Sequence, residues 1–420
     1  MQQLLLKFRA APVITAAIAL AASALAQPTV VTGTGNPGVD VPAVQAAVNL
    51  GGQVVLSGHF SFDTPPTISS PLQAVGIPPA TILISKAVEI SGAGDAIIER
   101  GTTPFFVWAP GATVTIQKLH FVNPAKSAIG VYAVSGLVIA SCRIEGFTLL
   151  PSIQFSGIGI SASDMVATPT PSQPGHPENI SGRILIADND IDPGENPTGN
   201  VLGITTFSAG VSPDKEVDLY ITGNRIKNVT ETGVNLRRIG GRARVEGNVI
   251  TTGPVSGTRP EAIRIVNIGS FVIAHNVIHS QWPDPDAIGI AVFTQVTDWP
   301  STNAAVVDNE VNMSPPDGVV FGNYSAGIDI RGLAQGNFVG NNIIRGRARA
   351  ALAVDLFNGG YPGNTAFVLN RVDDFDPSVP DVIIGDGVSN TLVYGQKGTV
   401  NDHGTNTVIM PSRGTSGSTQ

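Results

Sequence analysis

The sequence predicts an all-β fold, a parallel β-solenoid with a short N-terminal capping helix. The first observation is a small residue followed by aliphatic residues at alternate positions. It recurs as "AIGVY" (128–132), "GIGIS" (157–161), "GITTF" (203–207), "GVNLR" (233–237), "AIRIV" (262–266), "AIGIA" (287–291), "GIDIR" (327–331) and "ALAVD" (351–355). Successive copies start 24 to 46 residues apart. A compact repeat of this kind is typical of a solenoid, whereas a β-propeller needs blades of about 40 residues.

The second observation is an asparagine that recurs between those elements, in motifs such as "ITGNRI" and "VEGNVI". The seven residues are Asn189, Asn224, Asn248, Asn276, Asn309, Asn342 and Asn370. At a tight corner Asn tolerates left-handed backbone angles, and its amide both donates and accepts hydrogen bonds. Stacked at the inter-strand spacing of about 4.8 Å, these amides are predicted to form a structural ladder. In the earlier motif "VIASCRI", Cys142 takes the same position and ends the ladder.

The composition agrees with many short strands joined by turns. The 420 residues include 48 glycines and 31 prolines, and hydrophobic residues still make up 42%. This excludes a disordered polymer and favours short strands. The single cysteine excludes a framework of intrachain disulfides and a metal site built from several cysteines. No residue is assigned to a metal or another cofactor, and a monomer is expected.

The N-terminus predicts an exported protein. Lys7 and Arg9 precede an apolar run over 13–23, and Ala24-Leu25-Ala26 supplies a small-x-small cleavage site. Residues 1–26 are therefore expected to be a signal peptide, cleaved after Ala26, and the mature chain to be secreted or periplasmic. The alternative, a membrane anchor, needs about 20 apolar residues. No later segment is apolar enough to cross a membrane, so no span is expected in the mature chain.

The charge argues against nucleic acid as a partner. The chain carries 24 Lys and Arg against 32 Asp and Glu, a net charge of −8, and cleavage would remove two more basic residues to give −10. A globally acidic protein is a poor general nucleic-acid binder.

The predicted domains follow from the N-terminus onward. Residues 27–39 are expected to be a linker, 40–410 the solenoid and 411–420 a flexible tail. Residues 40–52 are expected to form the capping helix, because Asp40 can cap a helix, Pro42 suits its first turn and Gly51-Gly52 ends it.

Several segments carry a family resemblance. The predicted helix with "LGGQVVLSGHFSF", then "VEISGAGDAIIE", "VTIQKLHFVN" and the Asn repeats, resembles right-handed parallel β-helix proteins of the pectin-lyase-like superfamily over 40–410. The resemblance implies three sheets per coil, an N-terminal helical cap and a carbohydrate-binding groove along one sheet. It implies no particular enzyme, since the G-H-G, W-I-D-H and R-x-P-x-x-R patterns of that superfamily are missing. The D-P-H-D pattern of alginate epimerases is matched in part by Asp284-Pro285-Asp286, without the histidine.

Candidate catalytic residues lie at the alternate positions of the first element. If its aliphatic residues point inward, the residues between them point outward into one ladder. The candidates are Arg237, Arg264, Asp329, Arg331 and Asp355. An arginine can clamp the carboxylate of an acidic sugar. Asp329 and Asp355 could hold Ca²⁺ or act as an acid/base pair.

Four further residues are candidates for substrate binding: Tyr132, Asn235, Asp284 and Asp286. Between 225 and 264, eight basic residues stand against three acidic ones. They form either a positive surface patch or a set scattered over different sides of the coil, and both readings stay open. A third reading, that Arg and Asp serve only to make an exposed face polar, also stays open.

The predicted function is an exported β-helix that interacts with a polysaccharide, most simply an acidic glycan, as a lyase, epimerase or hydrolase. The alternative is a non-catalytic surface or periplasmic solenoid that binds or scaffolds.

Overall fold

The computed structural model describes residues 27–63, 82–125, 127–147, 155–161, 180–195, 197, 199–209, 216–257, 260–294, 303–396 and 398–411. The predicted signal peptide (1–26) and all but the first residue of the predicted tail (411–420) lie outside these residues.

The described elements are one helix and 32 strands in chain order. They are β1 (Thr29–Thr34), α1 (Pro37–Leu50), β2 (Gly52–Ser61), β3 (Ile82–Ile84), β4 (Val88–Gly92), β5 (Ile97–Glu99), β6 (Phe105–Gln117), β7 (His120–Val122), β8 (Ile129–Ala140), β9 (Arg143–Glu145), β10 (Phe155–Ser161), β11 (Gly182–Ala187), β12 (Asp190–Asp192), β13 (Val201–Ala209), β14 (Val217–Thr222), β15 (Arg225–Lys227), β16 (Thr232–Glu246), β17 (Val249–Thr251), β18 (Glu261–Ala274), β19 (Val277–Ser280), β20 (Ile288–Thr294), β21 (Ala304–Val307), β22 (Glu310–Met313), β23 (Ala326–Gly332), β24 (Phe338–Gly340), β25 (Ile343–Gly346), β26 (Ala350–Asp355), β27 (Ala366–Val368), β28 (Arg371–Phe375), β29 (Val382–Ile384), β30 (Leu392–Tyr394), β31 (Val400–Asp402) and β32 (Val408–Met410).

The strands stack into three parallel sheets, one strand of each sheet per coil. Sheet 1 contains β3, β10, β13, β20, β23, β26, β29 and β31. Sheet 2 contains β4, β11, β14, β21, β24, β27, β30 and β32. Sheet 3 contains β5, β7, β9, β12, β15, β17, β19, β22, β25 and β28. The long strands β6, β8, β16 and β18 run through sheet 1 and continue into sheet 2. Near the N-terminus, β2 passes from sheet 2 into sheet 3, and β1 pairs along it.

The core lies inside the coils. The aliphatic residues of the repeated first element point inward as predicted, and pairs such as Ile263 and Ile265 or Ile328 and Ile330 are fully buried. These residues join one apolar cluster that runs through the successive coils. Burial of this continuous core, without disulfides, is the main stabilising term.

The small residue that opens each first element is required by close packing. A Cβ placed on Gly203 would lie 2.6 Å from the carbonyl oxygen of Gly233, and one on Gly327 would lie 2.7 Å from that of Ala351. The backbone of one coil therefore approaches that of the next at this corner too closely for a large side chain.

The recurring asparagines form a buried ladder between sheets 2 and 3. Each Nδ2 donates to the Oδ1 of the next asparagine, with distances of 2.9 to 3.0 Å along the whole series from Asn189 to Asn370. Each Nδ2 also donates to a main-chain carbonyl of the preceding coil, as Asn276 does to Val245 at 2.8 Å. At the start of the ladder, the main-chain N–H of Cys142 donates to Oδ1 of Asn189 at 2.9 Å.

The prediction that the ladder asparagines adopt left-handed angles is wrong. The positive φ belongs to the residue before each of them, for example Asp188 (55°), His275 (56°) and Leu369 (53°). The asparagine itself must point its amide into the coil. The preceding residue therefore makes the turn, and Gly, Asp or Asn mostly occupies that position.

The N-terminal elements differ from the prediction at their boundaries. The helix spans Pro37–Leu50 rather than 40–52, because Asn36 is the N-cap and its side chain accepts from the N–H of Gly38 at 3.0 Å. Pro42 consequently lies inside the helix. The predicted linker 27–39 contains a strand, β1, which pairs with β2.

Asp40 is not the cap but a buried link between three elements. Its carboxylate accepts from the N–H and the hydroxyl of Thr34 in β1, both at 2.8 Å, and from the N–H of Ser61 in β2 at 3.0 Å. We expect Asp40→Ala to lower the free energy of unfolding by about 3 kcal/mol, because buried donors lose a charged acceptor. Asn36→Ala should cost only about 1 kcal/mol. Urea unfolding of the two variants checks this, and an equal loss would contradict the assigned role.

The two ends of the solenoid are built differently. At the N-terminal end, Val44, Ala47 and Val48 of α1 are buried against the core. At the C-terminal end, Ile409 pairs in register with the buried Val393, yet the residue is 49% exposed because no later coil of the described residues covers it.

The outer face of sheet 2 changes character along the solenoid. In β14 and β16 it carries charged residues such as Asp218, Arg242, Arg244 and Glu246. From β18 onward, the two outward positions per coil are apolar or glycine in six successive coils. We call this set the apolar stripe: Val272, Ala274, Ala305, Val307, Phe338, Gly340, Ala366, Val368, Leu392, Tyr394, Val408 and Met410.

A second, exposed amide ladder borders the apolar stripe at the corner between sheets 1 and 2. Asn364 donates to Gln335, Asn390 to Asn364, and Asn406 to Asn390, at 3.3 to 3.4 Å. These three asparagines have positive φ values of 52° to 56°. The sequence analysis did not identify this ladder, although "GNT", "SNT" and "TNT" repeat at its corner.

Candidate functional site

The predicted site residues lie on the outer face of sheet 1. In register, Asn235 pairs with Arg264, Arg264 with Ala291, and Ala291 with Asp329. At the next outward position, two residues further along each strand, Arg237 pairs with Val266. Two coils after Val266, Arg331 pairs with Asp355. Their outward direction follows from the strand alternation.

Burial of this face is the main departure from the prediction. Asp329 is 0% exposed, Asn235 and Arg331 are also buried, and the side chain of Arg264 is only 13% exposed. The candidate residues therefore do not form an open groove. Val266, Ile288, Ala291 and Phe293 of the same face form a small apolar cluster under Tyr324 and Phe357, so residues from the connecting segments cover the strand surface.

Four of the five predicted catalytic residues converge in one ionic network, which we call the sheet 1 network. Arg331 lies 2.9 Å from Glu261 and 2.9 Å from Asp329, measured from guanidinium nitrogen to carboxylate oxygen. Arg264 pairs with Glu261 and, at 3.1 Å, with Glu231. Arg349 pairs with Asp355. The network residues are Glu231, Glu261, Arg264, Asp329, Arg331, Arg349 and Asp355.

Three network residues were missed from the sequence: Glu231, Glu261 and Arg349. A signal was present for the glutamates, since each stands just before a first element, in "ETGVNLR" and "EAIRIV", where a charge next to a buried strand needs a partner. The fifth predicted residue, Arg237, is half-buried on the same face, in the coil before Val266.

Aromatic rings hold the central arginine. The guanidinium carbon of Arg331 lies 5.3 Å from the ring centroid of Phe293, 5.2 Å from that of Tyr324 and 5.6 Å from that of Phe357. Contacts of this kind favour the charged form of the arginine. Burial of the guanidinium opposes that form, but the pKa of Arg331 is raised because Asp329 and Glu261 lie beside it.

Asp329 is the acidic centre of the network. Burial raises the pKa of Asp329 to about 7; Arg331 lowers it, and the negative charge of Asp355 raises it further. With every group ionised, the network holds four carboxylates and three guanidiniums, a net charge of −1. Protonation of Asp329 therefore brings the net charge of the sheet 1 network to zero. Asp329 gains and loses this proton close to neutral pH.

This carboxyl group makes the stability of the fold depend on pH. In the unfolded chain its pKa is about 3.9. Because the folded-state pKa is higher, the folded protein holds the proton more tightly, and stability falls as pH rises from about 4 to 7, by a few kcal/mol. We expect Asp329→Asn to match the parent protein near pH 5 and to be more stable at pH 8.

Urea unfolding at the two pH values measures this difference. Asp218→Asn, which makes the same charge change on sheet 2, is the matched control. An Asp329→Asn variant that keeps the parent's loss of stability between pH 5 and 8 would show that another group titrates.

Several buried polar atoms of this face have no hydrogen-bond partner among the described residues. They include Oδ1 of Asn235, Oε2 of Glu231, Oδ1 of Asp329, and the hydroxyls of Thr205 and Thr232. An unsatisfied buried polar group costs about 1–3 kcal/mol. A cluster of them on one face therefore marks a place where a polar ligand or water completes the bonding.

The candidate substrate-binding residues lie in three different places. Tyr132 is buried and stacks on Trp108 with ring centroids 5.1 Å apart, and burial raises the pKa of its hydroxyl. Asn235 belongs to the outer face of sheet 1. Asp284 and Asp286 form a turn, in which the N–H of Asp286 donates to Oδ1 of Asp284 at 2.8 Å.

The Asp284–Asp286 turn supports the cover of the network. Oδ1 of Asp286 accepts from the N–H of Tyr324 at 3.2 Å, and the N–H of Gly322 donates to the carbonyl of Pro285 at 2.8 Å. The pKa of Asp284 is raised by burial. In this structure the turn positions Tyr324, whose ring contacts Arg331.

The basic residues between 225 and 264 are scattered rather than joined in one patch. Arg225 and Lys227 belong to sheet 3, Arg242 and Arg244 to sheet 2, and Arg264 to sheet 1. Lys227, Arg242 and Arg244 each lie within 4 Å of an acidic side chain. Arg259 lies outside the described residues.

A Ca²⁺ site at Asp329 and Asp355 stays a prediction. Each of these carboxylates is ion-paired with an arginine. Within the described ranges, no group of three or more His, Cys, Asp or Glu side chains has a metal-binding arrangement.

Structural comparison identifies the architecture. A surface adhesin of Streptococcus pneumoniae, PfbA, has a TM-score of 0.56 and 12% identity, and the alignment covers 89% of this chain and 96% of that chain. The protein is a right-handed parallel β-helix. The predicted fold and the resemblance to right-handed parallel β-helix proteins are thereby confirmed. Another β-helix, the A-module of the Azotobacter vinelandii mannuronan C-5 epimerase AlgE4, has 10% identity and a TM-score of 0.41, covering 90% of this chain and 97% of that chain.

Likenesses at this level of identity show the fold alone. No protein-family model matches this β-helix, and no curated protein matches its sequence significantly. Among the residues that the structure describes, no helix is long and apolar enough to span a membrane.

Proposed function

We propose that this β-helix binds an acidic polysaccharide along the outer face of sheet 1 and that Asp329 transfers a proton there. The observation that carries the proposal is a buried carboxyl group with a pKa of about 7, ion-paired with Arg331 and surrounded by polar atoms without partners. Strongly perturbed groups with specific charged neighbours are typical of functional sites. A glycan supplies many hydroxyl groups that can donate to the unpaired acceptors.

The chemistry that suits these residues is removal of the proton next to a uronate carboxylate. A base whose pKa is near neutral pH combines the correct protonation state with useful basicity. Arg264 or Arg331 would hold the sugar carboxylate and stabilise the charge that develops when the proton leaves. In a lyase, the protonated Asp329 then gives the proton to the departing glycosidic oxygen as the C–O bond breaks and a C=C double bond forms. In an epimerase, a second acid or a water molecule delivers a proton to the opposite face of the sugar, and Asp329 later returns its own proton to solvent.

Hydrolysis is supported less well. It needs two carboxyl groups, one as acid and one as base or nucleophile. Asp355, the second carboxyl group of the predicted pair, is ion-paired with Arg349. It is therefore engaged by that guanidinium rather than free to act on a glycosidic bond.

Asp329→Asn tests the proposal directly. The mature protein is incubated with a panel of uronate polymers, with and without Ca²⁺. Ultraviolet absorbance follows unsaturated uronate ends, a reducing-end assay follows hydrolysis, and proton NMR in D₂O follows exchange at the carbon next to the carboxylate. We expect Asp329→Asn to reduce the rate at least about 100-fold, the usual contribution of a general base, while Asp218→Asn keeps the parent rate.

A second candidate, a non-catalytic binding solenoid, is favoured by a specific observation. Asp329 is fully buried, and the rings of Phe293, Tyr324 and Phe357 surround its arginine partner. This function would be supported if the protein binds a glycan but produces no unsaturated or reducing ends and no proton exchange. The affinity for the glycan should then be the same in Asp329→Asn. Absence of both turnover and binding across the panel would remove both candidates for those polymers.

We also propose that the protein is exported, as the N-terminal 26 residues suggest. Expression of the full chain in a bacterial host, followed by fractionation and N-terminal mass spectrometry, should find a periplasmic or secreted product that begins at Gln27. A cytoplasmic product that retains Met1 would contradict export.

A further inference from the structure

The apolar stripe on sheet 2 is a surface of unusual composition for a solvent-facing sheet. Phe338 is 42% exposed, and Tyr394, Val408 and Met410 are exposed to a similar degree. The side chains alternate with the buried core positions of the same strands, so they do not contribute to the core of the solenoid. Ala274 and Gly340 of the stripe are buried, and its other ten residues are at least partly exposed. An apolar row over six coils is much longer than the scattered apolar residues normal on a surface.

The stripe has the anatomy of a protein interface. Its centre carries no charged residue, whereas the same face carries Asp218, Arg242, Arg244 and Glu246 in earlier coils. The exposed amide ladder of Asn364, Asn390 and Asn406 borders it on one side. Interfaces are typically depleted of charge at the centre and polar at the rim.

The opposite border carries a further apolar residue. Leu369 is half exposed and has a φ of 53°, whereas the other coils that carry a ladder asparagine place Gly, Asp, Asn or, once, His275 at this corner. A large residue in the left-handed region costs stability. Burial of the Leu369 side chain by a partner would offset this cost and explain why a leucine lies beside the stripe.

We propose that the apolar stripe is the contact surface between two copies of this chain. The amides at the rim both donate and accept, so they can bond to the same amides in a copy related by two-fold symmetry. Both copies present side chains at the same coil spacing, which lets the two rows interleave. The stripe also continues to the last described coil, where Ile409 is exposed.

The size of the surface fixes the strength that we expect. Six coils at about 4.8 Å extend over roughly 24 Å, and with its rim the stripe is roughly 15–20 Å wide, or about 360–480 Å². Stable interfaces bury about 800 Å² per partner. The inferred dimer is therefore reversible and concentration-dependent, which differs from the monomer expected from the sequence.

A membrane is a poorer partner for this surface. The C-terminal coils are acidic: residues 373–402 contain Asp373, Asp374, Asp376, Asp381, Asp386 and Asp402 against a single basic residue, Lys397. Anionic headgroups attract basic segments and repel acidic ones. A second copy carries the same carboxylates, but they lie on β28, on β31 and in the turns beside β29 rather than on sheet 2, so they stay in solvent when two stripes meet.

Sedimentation velocity of the mature chain, over concentrations from about 1 µM to several hundred µM, tests the proposal. The parent protein should shift from monomer to dimer, and Phe338→Glu should weaken association by about tenfold or more, because a buried unpaired charge is costly. Met410→Glu, at the exposed last strand, gives a second variant if Phe338→Glu fails to fold. Val320→Glu is the matched control, since Val320 is 83% exposed and lies outside the stripe.

Three outcomes would overturn the proposal. They are a parent protein that stays monomeric throughout, a dimer that both stripe variants leave unchanged, and a monomer that binds neutral phosphatidylcholine vesicles through the stripe. The inference is independent of the proposed function, because Asp329→Asn should dimerise like the parent.

Discussion

Asn276→Ala should lower the free energy of unfolding by about 4 kcal/mol. The side chain makes four buried hydrogen bonds: it donates to Val245 at 2.8 Å and to Asn309 at 2.9 Å, and it accepts twice from Asn248 at 3.0 Å. Each is worth about 1 kcal/mol, and the neighbours left without a partner lose the same bonds in a dry environment.

The matched control belongs to the exposed amide ladder. Asn390→Gly removes bonds of 3.3 to 3.4 Å at an exposed site, and glycine tolerates the φ of 56° found there. We expect its effect to stay within about 0.5 kcal/mol in the same urea titration. A similar loss for both variants would mean that burial of the inner ladder contributes nothing special.

Arg331→Met should destabilise the protein by about 3–5 kcal/mol at pH 8. The change leaves Glu261 and Asp329 buried without their shared cation and removes the contacts with three aromatic rings. The loss should be smaller at pH 5, where Asp329 is protonated and needs no counter-charge. Denaturant unfolding at the two pH values provides the measurement.

A double-mutant cycle tests whether the two residues act together. Arg331→Met combined with Asp329→Asn should recover about 1–3 kcal/mol relative to the sum of the single changes. Arg331→Lys should be intermediate, because a lysine cannot present two separate donors in the fixed geometry of a guanidinium. Strict additivity in the cycle would contradict direct coupling.

The sequence was sufficient to predict the solenoid because its rule is local and periodic. The small residue of "GVNLR" and the asparagine of "VEGNVI" each contact their equivalents in the next coil. Each recurring motif therefore indicates one contact that is repeated between successive coils. The error in the backbone angle of the ladder arose because two adjacent residues share that corner, and composition alone does not say which one turns.

The site was predicted only in part. Alternation along the strands correctly placed Arg264, Asp329 and Arg331 on the outside of sheet 1. It could not show that Tyr324 and Phe357 cover them, since these two residues come from connecting segments without a repeat. Whether a loop covers a sheet depends on tertiary packing, which cannot be predicted from the residue pattern of the strands.

The construction of the two ends also gives the protein a direction of assembly. The N-terminal helix seals one end, and each rung of the buried amide ladder joins residues only 24 to 35 positions apart. A folded coil can therefore provide the hydrogen-bonding edge on which the next coil forms, so that folding proceeds from the N-terminal end. Pulse-labelled hydrogen exchange during refolding should show protection around Asn189 before protection around Asn370, and simultaneous protection would argue against growth from the sealed end.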